Sequence, residues 1–135
     1  MAAGRPLGKA ELEERGAAVV DFVLVSVLLL PLVLGIMQLA LVLHVRNTLT
    51  AAASEGARLA ATVDHGPDDG IRLTRLQATG VLAGRYTDEV TAQESSVDGY
   101  PGVVVRVRAV VPALGLFGPA VTLDVEGHAV EEQLP

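Results

Sequence analysis

Asp21 is the side chain with the most to explain. It follows Arg15-Gly16-Ala17-Ala18-Val19-Val20 and precedes Phe22, at the head of an apolar run that continues to Leu43. A carboxylate within hydrocarbon costs roughly 2.5–3.5 kcal/mol at a helix centre and less near an end, so a retained one implies a partner or a task. A second cluster, Asp64-His65-Gly66-Pro67-Asp68-Asp69-Gly70, gathers three carboxylates and an imidazole in a segment broken by glycine and proline. Its spacing does not fit a calcium-binding EF-hand, and no glutamate closes the loop downstream. Asp68 or Asp69 as the N-cap of a following helix accounts for the same residues more simply. We therefore expect no metal and no cofactor.

Catalytic constellations do not emerge. The sequence has no G-x-S-x-G elbow, no glycine-rich phosphate loop and no H-E-x-x-H pair. His44, His65 and His128 lie far apart in the chain, and hydroxyls such as Ser54 and Ser95 have no recognisable base. Arg106, Arg108, Asp124 and Glu126 fall on alternating positions of two β segments, where cross-strand pairing explains them better than chemistry does. The absence of cysteine excludes disulfides, thiolate catalysis and cysteine-ligated metal sites. An enzyme, and a small-molecule substrate with it, is not expected.

The elements that must position Asp21 come next. Residues Phe22–Leu43 form 22 positions without a formal charge, and about 20 suffice to cross a bilayer core as a helix. A secretory signal peptide has a shorter apolar region, about 7–15 residues, and a small-x-small cleavage site that is missing around His44-Val45-Arg46. A retained transmembrane helix over residues 17–43 is the reading favoured. Pro31 and Gly35 predict at most a modest kink. Gln38 has two readings: an amide seeking a partner on another helix, or one that snorkels to the far interface. Arg5, Lys9 and Arg15 precede the span and Arg46 and Arg58 follow it, which leans towards a cytoplasmic N-terminus.

The helical pattern continues past the membrane. Val45, Leu49, Ala52, Gly56, Leu59 and Val63 recur at helical spacing and predict an extension over residues 44–63. Its small residues, Ala52, Ala53, Gly56, Ala57 and Ala60, permit close approach by a partner: this chain's own sheet, a neighbouring subunit, or both. Ile71–Gly84 predicts a second helix with two apolar faces, wedged between elements. Val103 to Val111 and Val121 to Ala129 alternate with period two and predict paired antiparallel strands. Val90–Glu94 is a third strand, separated from the second by the turn Val97–Gly102. Residues 64–135 thus form a small α/β domain, and the fold class is α+β: a long transmembrane helix running into a short helix and a three-stranded antiparallel sheet.

Composition narrows the partners. Net charge is −6, and past Leu43 seven arginines face twelve acids, so no basic stripe is available for nucleic acid. Only Phe22, Tyr86, Tyr100 and Phe117 are aromatic, a poor start for a ligand pocket or a base-stacking surface.

Arg15-Gly16-Ala17 with Asp21-Phe22 resembles the class III (type IVb-like) signal sequences of pilins. Ser54-Glu55-Gly56-Ala57-Arg58-Leu59-Ala60-Ala61 is similar to the E-G-A-R-x-A segment of the TadE-like pseudopilins of the tight-adherence, or Flp, pilus system. Together these motifs cover about residues 15–62, and the chain departs from the pattern in having Asp21 where glutamate is typical. The resemblance implies a pilin-like fold and a cytoplasmic leader, residues 1–16, removed by a prepilin peptidase between Gly16 and Ala17. It further implies that Asp21 pairs with the N-terminal amine of an adjacent subunit, with Phe22, Gly56 and Arg58 as further assembly contacts. The implied partners are pilin or pseudopilin subunits and the assembly platform in the cell membrane. The competing reading is an uncleaved single-pass anchor whose outer domain binds another envelope protein.

Overall fold

In the computed structural model the chain is described over residues 8–81, 87–113 and 120–132. The elements follow in the order α1 (Lys9–Ala60), α2 (Pro67–Val81), β1 (Thr87–Val97), β2 (Tyr100–Val111) and β3 (Val121–Val130). This is the α+β arrangement expected from the sequence. The chain divides within α1 into one unit ending at Met37 and a second beginning at Gln38.

From Lys9 on, the first unit is helix, with Pro31 accommodated inside it. Its apolar side chains are exposed throughout, from Val19 and Phe22 to Ile36 and Met37. This stretch is long and apolar enough to cross a membrane.

The second unit is built on an antiparallel sheet in the order β1-β2-β3. Alternation decides its two faces. Val103, Val105, Val107, Ala109 and Val111 of β2 are buried, with Val90 of β1 and Leu123 and Val125 of β3 beside them. The opposite face presents Arg106 and Arg108 between Glu89 and Thr91 on one side and Asp124 and Glu126 on the other. β1 and β2 are joined by Asp98-Gly99, both at positive φ (51° and 86°). Two such residues make a type I′ turn, whose twist matches that of the flanking strands. The strand expected over Val90–Glu94 is therefore longer at both ends.

The C-terminal part of α1 lies along β3. Val45, Leu49, Ala53, Ala57, Ala60 and Ala61 enter the buried cluster with the sheet valines. The approach is closest at Gly127, where a Cβ would collide with the backbone of Ala53 and Ser54. A second crossing brings α2 onto α1. A Cβ on Gly70 would stand 2.6 Å from the Gly56 carbonyl, and one on Gly56 would stand 2.7 Å from the Gly70 carbonyl. Thr74 is fully buried in this crossing and donates its hydroxyl to the Gly70 carbonyl at 2.8 Å. A polar residue is tolerated there because its one donor is satisfied inside its own helix.

Three local expectations shift. The helical stripe ends at Ala60, not Val63: the Thr62 amide (3.2 Å) and hydroxyl (2.7 Å) both bond the Leu59 carbonyl that a continuing helix would give to Val63. The second helix begins at Pro67 rather than Ile71. Gly66 caps it, accepting the Asp69 amide at 3.0 Å, while the Asp69 carboxylate accepts the Gly66 amide at 3.3 Å. Proline suits a first helical position, having no amide proton to leave unpaired. Lastly, α2 does sit between elements, against α1 through Gly70 and Thr74 and against β1 of the sheet, but it buries the stripe Gly70, Thr74 and Ala78 and leaves Leu76 exposed. Leu82 and Ala83 of the expected second helix lie outside the described residues.

Gly127→Val is expected to lower stability by about 1–3 kcal/mol or more, as overpacking between two backbones does. Gly80→Ala, with open space around it, should gain up to about 1 kcal/mol from helix propensity. Chemical unfolding of the full chain in detergent micelles measures both.

Candidate functional site

The residues singled out by the sequence separate into an exposed group and a buried one. Gly16, Ala17, Asp21 and Phe22 all lie on α1 within the first unit and are exposed, Phe22 at 72%. Ala17 and Asp21 are one helical turn apart and share a face. Large apolar side chains on all sides of this segment are exposed among the described residues, which suits a hydrocarbon solvent.

The second motif is placed differently. Gly56 is buried at the α1–α2 crossing, and Ala57 against the sheet. Of its neighbours, Glu55 accepts a hydrogen bond from Gln77 of α2 at 2.8 Å, and Arg58 is exposed in the last turn of α1. A cation there complements the carbonyl end of the helix. Within this chain, then, Gly56 seats α2, and Arg58 is the residue of the pair that faces outward.

The two observations meet on one helix. Residues 16–58 match the family of TadE-like proteins. The match begins at the first motif's glycine and ends at the second motif's arginine, so the TadE-like segment is the helix that carries both. No curated protein and no solved structure matches the chain. The family is one of pilus-associated structural proteins of the tight-adherence system. Among the described residues, one helix is long and apolar enough to cross a membrane, which fits a single-pass membrane protein.

The other candidate clusters are structural in their geometry. Asp69 pairs with Arg72 one turn along α2 and caps the helix with Gly66. His65 Nδ1 contacts the Thr62 hydroxyl at 3.1 Å. Among the described residues no three metal-ligating side chains converge. On the outer sheet face the register sets Arg106 opposite Glu126 and Arg108 opposite Asp124. Arg106 Nε donates to Glu126 at 2.7 Å, and Asp124 lies 3.7 Å from both arginines. The hydrogen bond that Arg106 donates to Glu126, and then the charge of Glu126, hold the Arg106 guanidinium above its ordinary pKa. A raised folded-state value adds stability below the ordinary pKa and loses it only as pH climbs through the raised one, so this pair provides no switch near neutrality.

Sequence reasoning missed Thr74 and Gly127. The signal for Thr74 was present in its spacing: it stands four residues after Gly70, where a hydroxyl can return to the i−4 carbonyl. For Gly127, the signal was a glycine at a position of β3 whose side chain would face the core.

Gly56→Val should force α2 away from α1, at a cost of about 1–3 kcal/mol or more. Phe22→Leu, on an uncovered helix surface, should stay within about 0.5 kcal/mol. Hydrogen exchange of the α2 amides separates the two, accelerating for the first variant alone.

Proposed function

We propose that this chain is a minor pseudopilin or pilus-assembly subunit of a Tad/Flp-type system, acting through helix packing rather than catalysis. The observation that carries the reading is the TadE-like match enclosing both motifs on one helix whose apolar half is uncovered. In this reading the N-terminus is cytoplasmic, residues 64–135 stand outside the cell membrane, and a prepilin peptidase cuts between Gly16 and Ala17.

Cleavage would create a cationic amine at Ala17. Asp21, one turn further on, would then meet the corresponding amine of an adjacent subunit. A lone carboxylate in low dielectric is penalised, and a paired one much less so. The pair therefore fixes register between neighbouring helices at a depth where a mismatched register leaves a buried charge. Phe22 and Arg58 add exposed contacts at the two ends of the helix. Gly56 contributes from within, by letting α2 sit close enough to leave α1 a smooth outer side. Pilin or pseudopilin subunits and the assembly platform are the partners this arrangement fits.

The test is N-terminal sequencing and intact mass of the protein from native membranes, with and without the peptidase. A peptidase-dependent start at Ala17 is expected. A start at Met1 or Ala2 in both strains would sink the proposal and favour a permanent anchor that binds an envelope partner. Asp21→Asn should still be cleaved and inserted. Losing one partner of a buried pair costs about 3–5 kcal/mol, so recovery of neighbouring subunits by cross-linking should drop more than roughly tenfold.

A further inference from the structure

The outer side of the helices in the second unit carries apolar residues that the core does not use. Leu76 of α2 is 72% exposed, and Val63 and Val130 are exposed as well. Leu59 of α1 and Leu73 of α2 are half-buried and together line two adjoining hollows. Single exposed leucines are ordinary, but a connected group of apolar side chains marks an interaction surface.

Charge is divided across this surface. The hollow that holds Leu76 is bordered by Arg75 and by Arg72, which is shared with Asp69 of its own helix. Val63 lies in another hollow, bordered by Glu94, Glu131 and Glu132 and, among the described residues, by no arginine. Leu59 borders the first and Thr62 the second, and both border a third between them, whose rim mixes Arg58 with Glu55 and Glu132. Among the described residues Arg75, Glu94, Glu131 and Glu132 take part in no ion pair, so both lobes keep charge for another molecule.

An occupant must present acid to the first lobe and base to the second, on either side of an apolar middle. A second copy of this chain does so when turned about a two-fold axis through Leu59 and Thr62, because an isologous contact sets a patch against the same patch reversed. Past Leu43 the chain carries seven arginines and twelve acids, so two copies repel one another in most other orientations.

We infer that the outer surface of α1 and α2 around Leu59, Leu73 and Leu76 is the interface of a homodimer. Arg72 and Arg75 of each copy lie against Glu131 and Glu132 of the other, and Val63 and Val130 of the other copy cover Leu76. The inference goes beyond the assembly reading, since it uses neither the leader nor Asp21.

The test is sedimentation equilibrium of the full chain in density-matched detergent micelles. Wild type should pass from monomer to dimer with concentration and form nothing larger, and salt should weaken the dimer. Arg75→Glu and Glu132→Arg both change exposed side chains. Each should weaken dimerisation by roughly tenfold or more, since like charges then face one another. The double variant should regain the dimer, and so should an equimolar mixture of the two single variants. Far-UV circular dichroism checks folding, and Glu131→Arg takes the place of Glu132→Arg if that variant does not fold. A wild-type chain that stays monomeric overturns the inference. A dimer that neither reversal moves belongs to the apolar helix and overturns it too. A loss that the double reversal leaves unrepaired assigns these charges to a different partner, and a ladder of larger species excludes the two-fold axis; either result sinks the homodimer. None of these outcomes reads processing at Gly16, so failure here is distinct from failure of the assembly reading.

Discussion

At Gly127 the peptide backbone of α1 rests on that of β3 with no side chain between them, and the second unit is organised around that contact. It brings the helix low enough for alanines to fill the layer above the sheet. Ala53, Ala57, Ala60 and Ala61 then pack on valines of β2 and β3, and among the described residues no aromatic ring is buried. A core of such short side chains has little slack. Small residues are close-packed only if backbones approach closely, and every enlargement must move a backbone rather than a rotamer. The α1–α2 crossing at Gly56, Gly70 and Thr74 obeys the same rule on the helix's other flank.

The sheet was legible because period two is a strong signal when one face is buried. β3 matched its alternation to within a residue, β2 ended where expected but began three residues earlier, at Tyr100, and the arginine–acid ladder followed from the same pattern. The helical boundaries were less legible. Hydrophobicity pointed to Leu59 and Val63 as the end of the buried stripe, but close docking selects by size, so Ala60 and Ala61 occupy the core while Leu59 is half-buried and Val63 exposed. Likewise Leu76 is the more apolar of the two, yet it is Thr74 that is buried. Side-chain volume, set by a distant glycine on another element, reversed that ranking.

The candidate site was legible in a different way. Asp21 stands out from its neighbours by the cost of its charge, and the Glu55-Gly56-Ala57-Arg58 run by its resemblance to a family. Neither signal resides in contacts within one chain. An exposed carboxylate on an exposed helix acquires a role only against another molecule, so the fold around it carries no imprint of that role. Gly56 is the instructive exception, since its environment is intramolecular and fully described by α2.

The parallel course of α1 and β3 has a mechanical side. A tug along the helix axis, of the kind that drawing a span out of a bilayer would apply, does not peel the domain from one end. It loads the contacts of Gln38 with Pro112, of Ala53 and Ser54 with Gly127, and of Ala61 with Glu132 together, in shear. Within the second unit, helix and sheet therefore share such a load along the whole length of their contact.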